Sequence, residues 1–176
     1  MRQKKARLFR MHIVFRSVST ERHRNPILTV DVIIEQNSRI LMIRRKNEPY
    51  KGCLALPGGF VDEGERIEDA ARREANEETS LNIHLVDILG VYSDPKRDPR
   101  GHLISTVFVG IVPSDKVSVE ASAQDDASEV EWINLEAIIK SNIAFDHKKI
   151  LFDFKVWKES GGTFWSSKDE SHLEAV

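Results

Sequence analysis

A chain of 176 residues with 40% hydrophobic side chains, 31% charged ones and a formal net charge of −2 has the size and balance of one soluble globular domain with its own core. The single cysteine, Cys53, excludes an internal disulfide and a multi-cysteine metal site, and fits a reducing cytoplasm, the expected location. No apolar run approaches the ~20 residues that span a bilayer, and the N-terminus lacks an apolar signal core and a small-residue cleavage site, so no membrane partner is expected.

Residues 1–24 carry eight Lys/Arg against Glu21 alone, leaving 18 basic and 27 acidic residues in the rest. A solvated extension, disordered or part of a subunit interface, is the plain reading of this arm; nucleic acid is not an expected partner, and a homodimer is left open. The domain proper is expected over 25–168, followed by a flexible tail, 169–176. It begins with "ILTVDVIIEQ", the turn Asn37-Ser38 and "RILMIRRK", which read as an antiparallel hairpin rich in β-branched residues. "CLAL" is a short strand running into a Pro57-Gly58-Gly59 loop, and Ile67 to Thr79, free of glycine and proline, predicts a helix. "HLVDILGVY" and "LISTVFVGIV" read as strands joined by the polar loop "SDPKRDPRGH", and "EVEWI" as a further strand after an acidic loop. Helices are expected near Leu135 to Lys140 and Asp146 to Glu159, and "SGGTFWSSKDESHLEAV" reads as loosely ordered beyond its aromatics. This order predicts an α/β protein with a mixed sheet and helices on its faces.

The helix over Ile67 to Thr79 carries an anomaly. At ~100° per residue, Ala70, Ala71 and Ala75 form one stripe with Ile67, and Glu74 and Glu78 fall at its centre, where a helix packs on a sheet. Glu68, Asp69, Arg72, Asn76 and Thr79 supply the solvent side. Glu74 and Glu78 lie one turn apart, with Glu77 three residues from Glu74. Such crowded carboxylates raise one another's pKa unless a cation intervenes, and oxygen-only ligands suit a hard ion such as Mg²⁺ or Mn²⁺.

The chain also has Gly59, five residues, Glu65, seven residues, then "REANEETSL" from Arg73 to Leu81, which resembles the Nudix hydrolase signature. The glycine usual at the second-last position is Ser80; its job is to end the helix in a left-handed conformation, for which serine is less suited. The resemblance implies a Nudix fold, an α/β/α sandwich with a mixed β-sheet, and Mg²⁺-dependent hydrolysis of a nucleoside diphosphate linked to another moiety. It implies Glu74 and Glu78 as principal metal ligands, joined by Glu77 and by the carbonyl of Gly58, with Gly59 giving the diphosphate room. Glu77 is also a candidate catalytic group. Arg73 is expected to pair with Glu65 and pin the loop to the helix; the alternative is a helical pair with Asp69 or Glu77.

"YSDPKRDPRGH", with Pro95 fifteen residues beyond Ser80, resembles the short ADP-ribose pyrophosphatases of that family, as do "AFDHKKIL" and "GTFWSSK". ADP-ribose is therefore the expected substrate, with nucleotide sugars, NADH or oxidised nucleotides as alternatives. Arg97 and Arg100 are expected phosphate grips, as are Arg44 and Arg45, only one of which strand alternation puts on the site face. Asp126 is the preferred catalytic base among Glu120, Asp125, Asp126 and Glu129. His84, His102 and His147 lack metal-ligand spacing and read as structural or peripheral. The rival from another class, an ADP-ribose-sensing regulator, needs a DNA-binding domain, and 19 residues after Trp157 are too few for one.

Overall fold

A computed structural model describes residues 25–113 and 127–168. The chain forms one mixed sheet with a helix packed on each face. Its elements are β1 (Ile27–Gln36), β2 (Arg39–Arg45), β3 (Leu54–Ala55), β4 (Gly58–Phe60), α1 (Ile67–Thr79), β5 (His84–Tyr92), β6 (Leu103–Ile111), β7 (Ala127–Asn134), α2 (Leu135–Ile138), α3 (His147–Ser160) and β8 (Phe164–Trp165). The strands run β3-β2-β1-β6-β5-β8, with β4 also paired to β1 and β7 to β2. β1 is central: it runs parallel to β6 from Ile27↔Leu103 to Glu35↔Ile111 and antiparallel to β2. The turn between β1 and β2 has positive φ at both Asn37 (52°) and Ser38 (59°), the geometry of a tight two-residue hairpin that follows strand twist.

Alternation along β1 divides the core in two. Val30, Val32 and Ile34 face α1 and pack with Ala70, Ala71, Ala75, Leu81 and Phe108. Ile33 faces the other way, into a cluster with Leu56, Leu89, Tyr92, Val107, Ile150, Leu151 and Phe154 under α3. The three alanines of α1 are fully buried; their small side chains let the helix lie close to the sheet, which draws Glu74 and Glu78 against β4. Ser80 ends α1 with φ 61° and ψ 13°, its N–H donating to the Asn76 carbonyl, so the left-handed cap expected of a glycine is made by serine.

Two segments differ from expectation. Gly58 to Phe60 is a strand, β4, paired with β1 through Asp31↔Gly58 and Thr29↔Phe60, rather than an open loop. A side chain at Gly58 would strike the Val30 carbonyl and the Asp31 backbone, so glycine permits the pairing. After α3 the two aromatics form β8, parallel to β5 at Gly90↔Phe164 and Val91↔Trp165, and just past them, where loose order was expected, the Ser166 hydroxyl accepts the N–H groups of Ser93 and Asp94 at 2.7 and 3.0 Å. Gly90 allows that approach, since a Cβ there would collide with the Phe164 backbone. Among the described residues no helix is long and apolar enough to cross a membrane.

Candidate active site

Glu74 and Glu78 lie on the inner side of α1, as the helical stripe requires. Glu78 is 6% exposed, and its Oε2 accepts the Gly58 N–H at 2.9 Å. Glu74 lies against Gly59, where a methyl would collide with its carboxylate. Burial raises the Glu74 pKa and the Glu77 charge adds to the rise, while Arg73 opposes both. Glu77 flanks the pair with its side chain 44% exposed.

Arg73 ties this seam to the preceding loop. Its Nε and Nη2 reach the two oxygens of Glu65, both at 2.9 Å, and Nη2 also donates to the Phe60 carbonyl at 2.9 Å. Nη1 reaches Glu74 at 2.8 Å and Glu77 at 3.1 Å. Of the three partners weighed in the sequence, Glu65 and Glu77 are held at once, while Asp69 pairs with Arg66 and Arg72. The bonds to Glu65, then those to Glu74 and Glu77, raise the Arg73 pKa further, so the cation is permanent. Among the described residues, no three His, Cys, Asp or Glu side chains already close around a common point.

The seam forms one wall of a cavity of about 210 Å³ lined also by Asp31, Arg45, Phe60, Arg97, Asp98, Arg100, Phe145 and His147. Of the β2 arginines, Arg45 lines it; Arg44 does not, and instead pairs with Glu129 at 3.0 Å and with Glu131 and donates to the Gly52 carbonyl. The structure brings Arg97 into the cavity wall, but its Nε and Nη2 are committed to Asp146 at 2.9 and 2.7 Å, and Nη2 also to Asp31 at 3.2 Å. With its side chain 4% exposed, Arg97 braces the wall rather than presenting an open grip. Arg100 stands at the mouth. Asp126, Glu120 and Asp125 lie outside the described residues; Glu129 is the Arg44 partner.

The residue most clearly missed in the sequence is Asp31, a carboxylate in the middle of the central strand and only 7% exposed. It accepts from the Ser105 hydroxyl and Arg97, and His147 Nε2 faces its other oxygen at 3.3 Å. His147 Nδ1 accepts the Leu56 N–H at 3.0 Å, which puts the ring proton on Nε2 towards Asp31. Burial alone would raise the Asp31 pKa, but His147, Arg97 and Ser105 outweigh it and hold the carboxyl well below the usual range. His147, read as structural or peripheral, is structural and central: it links α3, the strand before the glycines and β1. The available signal was a lone aspartate inside a β-branched run, since buried polar residues are the informative ones.

Gly59 predicts a mutational effect on turnover rather than on the fold. In Gly59→Ala the obstructing atoms belong to the flexible end of Glu74, so the fold adapts and the carboxylate moves. We expect a melting temperature within a few degrees of wild type and a kcat lower by roughly 10²-fold, since misplacement by about 1 Å costs that much; thermal melts beside steady-state kinetics check it.

A family model described as NUDIX domain matches residues 25–154, and the chain belongs to that family. An ADP-ribose pyrophosphatase of Methanocaldococcus jannaschii is 51% identical over 134 residues, 76% of each chain. The ADPR responsive transcriptional repressor NtrR of Acinetobacter baylyi is 30% identical over 72% of this chain, which spans 52% of the repressor. Among solved structures, the NUDIX domain of Shewanella oneidensis NrtR complexed with ADP ribose has a TM-score of 0.67 at 25% identity, covering 76% of this chain and 88% of that one.

Proposed function

We propose that the protein is a Mg²⁺-dependent hydrolase that cleaves the pyrophosphate of ADP-ribose with water to give AMP and ribose 5-phosphate. The observation that carries this reading is the seam in which Glu74 and Glu78 face two glycines with Glu77 beside them, in a chain half identical to a relative named for that activity. The donor set fits a hard divalent cation: every side-chain donor is a carboxylate, and the absence of a Cβ at Gly59 leaves the Glu74 oxygens their place. Glu74 and Glu78 would be the principal ligands, with Glu77 and the Gly58 carbonyl completing the shell; Mn²⁺ suits the same oxygens. When bound, the cation neutralises the diphosphate and lowers the pKa of water.

The chain's own groups do the rest. Asp126 takes the proton of the attacking water, with Glu77, the most exposed carboxylate of the seam, as the second candidate base. The water oxygen bonds to phosphorus, and the bridging oxygen leaves with its electron pair on the other half of the substrate. Arg73 keeps Glu74 and Glu77 in register with the loop at Glu65, and Arg45 adds positive charge within the cavity. Similarity to the repressor supports a second reading, ADP-ribose binding without turnover. Purified protein offered ADP-ribose, NADH, diadenosine polyphosphates, a nucleotide sugar and 8-oxo-dGTP with Mg²⁺ is expected to give its highest kcat/KM on ADP-ribose. Another preferred substrate would refute the specificity, and tight ADP-ribose binding without product would favour the sensor.

A further inference from the structure

A main-chain ligand such as the Gly58 carbonyl is placed by whatever fixes the chain around it. Leu56 to Gly58 is where the chain leaves one strand partner for another: Ala55 pairs with Ile43 of β2, and Gly58 with Asp31 of β1. In the β1 register the Pro57 carbonyl accepts the Val32 N–H at 2.8 Å, and the Leu28 carbonyl accepts the Val61 N–H at 3.1 Å. Antiparallel alternation then turns both polar groups of Gly58 away from β1. Its N–H meets Glu78 at 2.9 Å, and its carbonyl leaves the strand on the same edge.

The crossover puts the Leu56 N–H outside both ladders, although Leu56 is only 2% exposed, and a buried donor needs a partner. Beside it, residues 142–144 run parallel to β3: Leu54 donates to the Asn142 carbonyl at 3.0 Å and accepts the Ala144 N–H at 2.8 Å. One more step of that ladder would give the Leu56 N–H to the Ala144 carbonyl. Phe145, at φ 55°, turns the chain into α3, and the Ala144 carbonyl accepts the His147 N–H at 3.3 Å. The His147 ring fills the gap, its Nδ1 accepting the Leu56 N–H at 3.0 Å.

The other ring nitrogen closes a loop of contacts. Nε2 faces Asp31 Oδ1 at 3.3 Å, and Asp31 lies so near Gly58 that a Cβ there would stand 3.0 Å from the same oxygen. One imidazole, 3% exposed, therefore spans the two positions that bracket Gly58: Leu56 before it and Asp31 across from it. With both nitrogens engaged, His147 acts through what it holds.

We propose that His147 is a positioning residue for the divalent cation: by clamping Leu56 and Asp31 it sets the Gly58 peptide so that the N–H goes to Glu78 and the carbonyl to the metal. This rests on the hydrolase reading above and adds the side chain that orients its main-chain ligand. Outer partners of metal ligands typically change metal affinity or activity by about 10–100-fold when removed.

The test measures Mn²⁺ binding to the substrate-free full chain, by electron paramagnetic resonance of the free ion, for wild type, His147→Asn, His147→Gln and His147→Leu. The Asn amide oxygen takes the place of Nδ1 and can accept the Leu56 N–H; Gln carries its amide one carbon further, and Leu accepts nothing. Mn²⁺ is expected to bind His147→Asn within about threefold of wild type, and His147→Gln and His147→Leu at least about tenfold more weakly. With ADP-ribose, the Mg²⁺ needed for half-maximal rate should rise in the same order, while kcat at saturating Mg²⁺ stays within about threefold of wild type. A histidine serving the fold alone would lower the melting temperature and leave the Mn²⁺ affinities of the folded variants equal, which overturns the proposal. His147→Asn binding Mn²⁺ no better than His147→Gln also overturns it, and that comparison decides by itself where His147→Leu does not fold. If Mn²⁺ binding follows the expected order but wild type does not turn over ADP-ribose, the hydrolase reading fails and the positioning role stands.

Discussion

Glu78→Gln is expected to reduce kcat by at least about 100-fold while the thermal midpoint stays within a few degrees of wild type. The amide has the volume of the carboxylate, and its oxygen can still accept the Gly58 N–H that Glu78 receives at 2.9 Å. The change removes the negative charge that would bind a cation, and an electrostatic contact made at the reacting centre is typically worth 10²–10³ in rate. The paired control is Arg72→Gln, an exposed residue on the opposite side of α1 that bonds Asp69, for which kinetics should be unchanged. Near-normal turnover in Glu78→Gln would remove Glu78 from the ligand set.

The largest effect on stability is expected at Asp31. Asp31→Ala takes away the carboxylate shared by Arg97, Ser105 and His147, leaving a guanidinium only 4% exposed with Asp146 alone. Removing one partner of a buried ion pair costs about 3–5 kcal/mol, a large part of the 5–15 kcal/mol that holds a typical domain together. Urea denaturation should show this loss in the midpoint.

The pH dependence has a definite sign. The folded Asp31 pKa lies below its unfolded value, about 3.9, because His147, Arg97 and Ser105 more than offset burial. Its contribution is therefore fully present above about pH 4 and is lost as pH falls from there through the folded value. Wild type should weaken in that window, and Asp31→Asn should weaken less steeply. A midpoint in Asp31→Ala equal to wild type at pH 7 would mean the network is incidental.

The legible parts of this chain are those where one residue pattern carries one physical meaning. The β-branched run from Ile27 to Gln36 is β1, and the helix without glycine or proline is α1, both with their expected limits. The misplaced charge of Glu74 and Glu78 on the alanine stripe located the seam, and the resemblance to the Nudix signature implied the Arg73 and Glu65 pair, which helical spacing alone did not offer. Contacts distant in sequence were not legible. That Gly58-Gly59 is a strand depends on β1 lying beside it, and β8 depends on Gly90, 74 residues earlier than Phe164. The arginines illustrate the same limit: sequence offers Arg97, Arg100 and one of Arg44 and Arg45 as grips, but pairing of Arg44 with Glu129, Arg97 with Asp146 and Arg100 with Asp98 gives these three different tasks. Asp31 and His147 are 116 positions apart and meet only because α3 begins under β1.

On the proposed function, the α1 carboxylates and a divalent cation together split ADP-ribose at its pyrophosphate. The most direct measurement is chromatographic analysis of products from ADP-ribose and the full chain, with Mg²⁺, with a chelator, and with Mg²⁺ restored. The expected result is AMP and ribose 5-phosphate in equal amounts, no products under chelation, and recovery when Mg²⁺ returns; full turnover in the chelator, or cleavage at any bond other than the pyrophosphate, would contradict it.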